Sequence, residues 1–264
     1  MTRSGAEIHP SAVVDPAARL GAGAVVGPFC VVGPGVALGE RVHLKSHVVV
    51  TGDTEIGDET VVFPGAVLGE VPQDLKFAGE RTRLRVGRRN RVREGVTMNL
   101  GTAGGGGETR VGDDNLFMTG AHVGHDAQVG SRVVMANQSA LAGHCVVEDD
   151  VILGGLTGIH QFVRIGRGAI VGAVTMVTHD VIPYGLVQGP RGELDGLNLV
   201  GLKRRGTARG DIQALRVAYA TLKQGEGSFV ERARRLADET DSDLVREVAA
   251  FVLAETDRSF LTPR

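Results

Sequence analysis

The chain has 264 residues, a formal net charge of −2 and 23% charged side chains; that balance offers no basic excess for nucleic acid, and no stretch reaches the ~18 apolar residues of a membrane span. Aromatic residues make up 4%, Trp is absent and there are 39 glycines, which suits repeated tight corners better than a bulky globular core. Cys30 and Cys145 stand apart with no metal or redox spacing, and the start MTRSGAEIHPSAVVDP lacks an apolar run ahead of a cleavage site, so the reading is a soluble, cytoplasmic protein.

From Ile8 to Leu68 an aliphatic residue recurs every six positions, often followed by a turn former such as Gly21, Gly27 or Gly39. The beat lapses over 71–85, returns at Val86, Val92 and Met98, and lapses again over 99–110. It then runs without a miss from Val111 to Val177. Neither the helical period of 3.6 nor the strand period of 2 yields that spacing. A fixed hexad marks a parallel β-helix, each hexad forming one side of a triangular coil of about 18 residues. The 26 hexads make about nine coils, stacked at roughly 4.8 Å. The lapses predict two loops ejected from the coil, near 71–85 and 99–110. Within the second, GTAGGGGE (101–108) is not followed by Gly-Lys-Ser/Thr and opens no helical pattern; it reads as a flexible loop rather than a phosphate cradle.

Past Val177, Pro183, Gly185, Gly189 and Pro190 punctuate the end of the stack. Helical spacing begins near Arg209 with Ile212, Leu215, Ala218 and Leu222, and two more helices are expected over 229–237 and 244–253. The predicted fold class is all-β: a parallel β-helix over 1–190 with a small α-helical domain over 191–264.

Half of the eight histidines, His122, His125, His144 and His160, fall in the unbroken stretch. Stacking turns an 18-residue offset into adjacency. His125 then lies below Gly143 and Gly143 below Gln161, while Asp126 lies below His144 and His144 below Phe162. A His beside a carboxylate is the arrangement of a general base, the carboxylate fixing the tautomer and steadying the imidazolium. The same cluster also fits a zinc site, built from three histidines at a subunit interface with Asp126 behind them. Arg81, Arg83, Arg85, Arg88, Arg89, Arg91 and Arg93 crowd the first lapse and read as a solvated charged face. Arg204 and Arg205, at the junction past the stack, are candidates for a nucleotide or an acidic partner, since Arg grips phosphate bidentately.

GPFC (27–30), LKSHVVV (44–50), GEVPQDLKFAGE (69–80), DNLFMTGAHVGHD (114–126), ALAGH (140–144), GIHQF (158–162) and GLKRRG (201–206) carry a close resemblance over nearly the whole chain. They resemble the acyl-carrier-protein–UDP-N-acetylglucosamine O-acyltransferases, which open lipid A biosynthesis in Gram-negative bacteria. The resemblance implies a left-handed β-helix, against the right-handed crossover rule of ordinary sheets, assembled as a homotrimer. It implies transfer of a 3-hydroxyacyl chain from acyl carrier protein to the 3-hydroxyl of UDP-N-acetylglucosamine, with no cofactor, no metal and no acyl-enzyme. His125 is then the general base, Asp126 its orienting carboxylate and the Gly143 N–H the oxyanion donor. Gln73, Asp74, Lys76, His122, His144, His160 and Gln161 resemble groups lining the sugar and acyl sites, and Asn198, Arg204 and Arg205 those holding the nucleotide.

Ala173 resembles the position that measures the acyl chain, with Arg191 the next candidate. Glycine there accompanies longer chains in relatives. One methylene discriminates by only ~1–3 kcal/mol, so a tolerant preference around ten to fourteen carbons follows by analogy. The sequence departs from the family at Asn99-Leu100, where relatives often show His-Arg, and at Val200, where an acidic residue is common. Some relatives acylate a 3-amino sugar instead, and no residue here separates the two acceptors.

Overall fold

Every expected hexad becomes a short strand. In the computed structural model, which describes residues 5–263, 26 strands run from Glu7–Ile8 to Met176–Val177, each carrying its apolar hexad residue, Phe117 among them. Met1–Ser4, part of the segment read as lacking a leader, and Arg264 lie outside the described residues. In the two-residue strands the first side chain turns outward and the second inward, as the alternation of a strand requires. Successive strands fall on three faces, the first containing Val25–Val26, the second Val31–Val32 and the third Ala37–Leu38. Pairing along each face is parallel, as in Gln128 with Val146 and Ala140 with Gly158, eighteen residues apart. The whole is a left-handed parallel β-helix capped by a few C-terminal helices.

A second inward column lies two places before each aliphatic residue, where Ala24, Val42, Val133 and Val151 are fully buried. Cys30 and Cys145 belong to this column and are buried and free. They act as small apolar fillers, which accounts for their isolation.

Corners use positive φ. Fifteen described residues other than glycine adopt it, including Asp126 (61°), His144 (62°) and Phe162 (65°) on one edge of three successive coils. The left-handed region costs most residues ~1–2 kcal/mol, and Asp and His bear it better than most. Because Phe29 and Leu156 do the same on another edge, this backbone belongs to the coil and is not strain stored at a site.

The ejected loops are narrower than the lapses, 71–82 and 100–107, because Arg83–Val86 and Glu108–Val111 begin before their aliphatic residues. Pairing offsets widen across them: Val61 pairs with Arg91, thirty residues on, and Arg91 with Leu116, twenty-five on. The eighteen-residue rule therefore fails where pairing spans a loop and holds above them. Most arginines near the first loop face the coil's own carboxylates. Arg85 bridges Glu55 and Glu108, Arg89 forks onto Asp114 at 2.7 and 2.8 Å, and Arg93 meets Glu94 at 3.0 Å. Such exposed pairs are worth ~0–1 kcal/mol; they form a solvated ladder.

An antiparallel pair, Gly185–Gln188 with Glu193–Leu197, ends the first face. Helices α1 (Leu199–Arg204), α2 (Arg209–Gln224), α3 (Phe229–Glu239) and α4 (Asp243–Leu253) follow. The short α1 was not marked by periodicity; Asn198 starts it by accepting from the Gly201 N–H. A Ser228–Glu231 capping box starts α3. The tail then returns to the coil, where buried Asp180 accepts from Arg164 Nε and Thr256 Oγ1, both at 2.7 Å. No helix among the described residues is long and apolar enough to cross a membrane.

Candidate active site

The stacking arithmetic brings His125, Asp126, Gly143 and His144 together. His125 Nδ1 lies 2.8 Å from Asp126 Oδ2, with 9% of the His125 side chain exposed and none of Asp126's. The imidazole covers Gly143, where an added Cβ would fall 2.4 Å from Cε1 and 2.5 Å from Nε2. The Gly143 N–H meets no acceptor among the described residues. His144 stacks on Phe162 at 4.4 Å, with its ring edge-on to His125 at 5.0 Å. Burial holds the His144 pKa down, with the charge of His125 adding to that and the charge of Asp126 opposing it.

His122 is half-buried and its Nδ1 lies 2.7 Å from Thr97 Oγ1. Burial depresses its pKa too, with His125 adding to the effect. Thr97 escaped the sequence reading because it pairs across the second loop, twenty-five residues away.

The loop expected to be flexible is instead packed onto Asp126. Thr102 N–H donates to Oδ1 and Thr102 Oγ1 to Oδ2, both at 2.7 Å. An added Cβ at Gly105 would lie 2.0–2.4 Å from the carboxylate atoms, and one at Gly101 would lie 2.9 Å from Oδ1. Gly105 is small because a buried carboxylate occupies the space beside it, and Gly101 because the backbone of Gly107 and Glu108 comes within 2.7 Å of where its Cβ would be.

Asp74, Lys76, Phe77, Glu80, Thr102, Gly104, His144 and Phe162 line a cavity of about 300 Å³. Both loops contribute to it, and Glu80 Oε1 joins them by accepting from the Ala103 N–H at 3.3 Å. Gln73 stands exposed on the first loop and does not line this cavity. His160 and Gln161 are exposed, and Arg258 from the C-terminal tail reaches both: its Nη2 lies 2.8 Å from His160 Nδ1, and its Nε donates to the Gln161 carbonyl at 3.0 Å. Nothing local in the sequence marks Arg258.

Asn198 is buried with both ends of its amide engaged, Oδ1 by Gly201 N–H and Nδ2 by the Gly168 carbonyl, each at 2.9 Å. Arg204 is exposed in the last turn of α1, and Arg205 lies over Gly168, whose added Cβ would be 2.6 Å from Nη2. Gly168 continues the edge of Arg132 and Asp150, whereas His144 continues the edge of Asp126. One chain thus sets the two groups on different edges of the prism. Ala173 is exposed beside Val174 at the third corner, and Arg191 bridges Met176 at the end of the second face. Of the two departures, Asn99 donates to the Val71 carbonyl at 3.2 Å and Leu100 is buried against Gly52, so this pair supports the loop bases. Val200 is exposed on α1.

For a cation, His125, Asp126 and His144 each offer one ligand atom within 4.8 Å of the others. Both Asp126 oxygens already accept from Thr102 and one from His125, so a cation there would displace existing bonds.

The coil of hexads is of the hexapeptide-repeat transferase class: residues 17–52 match the model of the bacterial transferase hexapeptide (six repeats). Residues 180–261 match domain 2 of UDP N-acetylglucosamine O-acyltransferase. The chain is 69% identical over 203 residues, 77% of each sequence, to the acyl-[acyl-carrier-protein]–UDP-N-acetylglucosamine O-acyltransferase of Paracoccus denitrificans. It is 49% identical to that of Rhizobium leguminosarum over 98% of this chain and 95% of the relative. A crystal structure of a UDP-N-acetylglucosamine acyltransferase superposes with a TM-score of 0.94 at 39% identity, covering 98% of this chain and 99% of that one. The chain belongs to the acyl-[acyl-carrier-protein]–UDP-N-acetylglucosamine O-acyltransferase family.

Proposed function

We propose that the protein moves a 3-hydroxyacyl chain from acyl carrier protein to the 3-hydroxyl of UDP-N-acetylglucosamine, opening lipid A biosynthesis in the cytoplasm, with His125 as base and no metal. The observation that carries this reading is the His125 Nδ1–Asp126 bond, with the far side of the ring lying over Gly143. Asp126 holds the proton on Nδ1, leaving Nε2 its lone pair. Nε2 takes the proton of the sugar hydroxyl as that oxygen bonds to the thioester carbon. The carbonyl electron pair moves onto oxygen, facing the Gly143 N–H. When the intermediate collapses the C–S bond breaks, and the imidazolium returns its proton to the carrier's departing thiolate.

In this reading Asp74, Lys76 and His144 hold the sugar in the cavity they line, while Gln73, His122, His160 and Gln161 flank the sugar and acyl paths. Arg204 and Arg205 meet the nucleotide phosphates. Asn198, its amide already bonded, sets the helix that carries them. Since the end of that helix at Arg205 and His125 occupy different edges, this reading has a second copy complete each site, as a homotrimer would allow. In the division expected at 190/191 the coil carries the chemistry and the helical part the nucleotide grip, although strand Glu193–Leu197 still pairs on the coil's first face and the helices begin at Leu199.

Incubation with UDP-N-acetylglucosamine and a pool of 3-hydroxyacyl carrier proteins, read by product mass, tests the reaction. The expected product is the nucleotide sugar plus one 3-hydroxyacyl group, released by mild base as an ester. Release of free fatty acid alone contradicts the assignment, and a base-stable product indicates an amide acceptor. Metal analysis and chelation of the active protein test the cation reading; retained activity in metal-free protein removes it.

A further inference from the structure

We propose that Thr102 is a positioning residue for acyl transfer, gripping the Asp126 carboxylate so that it aims His125; this rests on the reading of His125 as base. The Asp126 side chain has no exposed surface, and no Arg or Lys pairs with it among the described residues. A buried carboxylate in that position needs neutral donors to satisfy its oxygens. Thr102 supplies two, one to each oxygen, its N–H to Oδ1 and its hydroxyl to Oδ2. Two bonds from one residue fix the plane of the carboxylate, and Oδ2 is the oxygen that also meets His125 Nδ1.

Thr102 is itself held. It caps the 3₁₀ turn Ala103–Gly105, its Oγ1 accepting from the Gly105 N–H at 3.2 Å while donating to Asp126. Its carbonyl accepts from Gly107 N–H at 2.8 Å, and the next residue's N–H reaches Glu80 on the other loop. A hydroxyl donates and accepts through the same oxygen. The two ends of the loop are bonded to the coil, Leu100 N–H to the Glu70 carbonyl, Gly101 N–H to that of Arg83 and Arg83 N–H to that of Gly107, while Thr102 between them turns to the Asp126 carboxylate instead. Thr102 and Gly105 converge on the Asp126 carboxylate, a contact that the loop's backbone bonds to Glu70 and Arg83 do not themselves require.

The test is a double-mutant cycle on the intact oligomer: Thr102→Val, Thr102→Ser, Asp126→Asn and the Thr102→Val/Asp126→Asn pair. Losing a hydrogen bond to a charged group should lower kcat about 10- to 100-fold in Thr102→Val, with KM for both substrates kept within about threefold of the parent. Thr102→Ser should stay near the parent. In the Asp126→Asn background, Thr102→Val should cost less than about threefold more, because coupled residues are non-additive. Parent-like kcat in Thr102→Val, or the same fold loss in both backgrounds, would overturn the proposal. If Thr102→Val fails to assemble, Thr102→Ala carries the same comparison. The base reading stands or falls separately, on whether His125→Ala retains activity.

Discussion

His125 lies across Gly143 so closely that a Cβ at position 143 would sit 2.4 Å from its ring. Real Cβ atoms do not approach that near, so any side chain at 143 must displace the imidazole. Gly143 is not among the positive-φ glycines, so its backbone would accept alanine. Gly143→Ala is therefore expected to assemble normally and lose about 10²-fold in kcat, the scale of a ~1 Å misplacement of a reacting group. Steady-state kinetics beside a thermal melt checks this. A folded variant with parent kcat would mean that the ring need not lie there.

The separation of His125 from Arg204 and Arg205 onto two edges makes a sharper test of assembly. Arg204→Ala or Arg205→Ala should raise KM for the nucleotide sugar about 10- to 100-fold, the worth of a charge-assisted hydrogen bond. His125→Ala and an Arg204→Ala/Arg205→Ala double variant should each be nearly inactive alone. Co-expressed and purified as mixed oligomers, they should regain activity, because some interfaces then pair an intact His125 with an intact arginine pair. Verified mixed oligomers without recovery would place the whole site within one chain.

The coil could be read from sequence because its physics is periodic: each hexad needs one inward aliphatic residue, and stacking repeats that demand. The same rule located His125, Asp126, Gly143 and His144, since between Val111 and Val177 an offset in sequence is an offset in space. It could not locate Thr97 or Thr102, since pairing across a loop changes the offset and a loop's landing point has no period. Gly101 and Gly105 looked as slack as Gly104, Gly106 and Gly107, because a sequence shows small residues without showing that only the first two have the space beside them filled. Arg258 was hidden for a different reason: its route to His160 runs through the Arg164–Asp180–Thr256 anchor, a wholly tertiary arrangement. Asn198 was legible as part of a nucleotide motif, yet its amide serves the backbone.

Ala173 is exposed at its corner beside Val174, and in the proposed reading the acyl chain ends against it. Ala173→Met should shift the product toward shorter 3-hydroxyacyl groups by filling the end of the groove, a change worth ~1–3 kcal/mol per methylene. Competition among carrier proteins of different chain length, read by product mass, measures it. An unchanged profile moves the end of the groove elsewhere, with Arg191 next to be substituted.

Burial holds both His122 and His144 below the usual histidine range. Their unfolded forms take up protons near pH 6.5, before the folded forms do. The stability they support is therefore complete above about 6.5 and lost as pH falls through their folded values. The melting temperature should drop on the acid side of neutrality, and less steeply in a His122→Gln/His144→Gln variant. Parallel pH curves for the parent and this variant would show that other groups set the acid limb.

The most direct measurement is the single-turnover rate of His125→Ala on UDP-N-acetylglucosamine and a matched 3-hydroxyacyl carrier protein, taken on protein shown to be folded and oligomeric. The side chain lies on the outer edge of the coil, so the fold should survive. Loss of the base should cut the rate by at least ~10²-fold, and Asp126→Asn should cut it less. A His125→Ala rate above about a tenth of the parent's, against that ~10²-fold minimum, would contradict the assignment of His125 as the base.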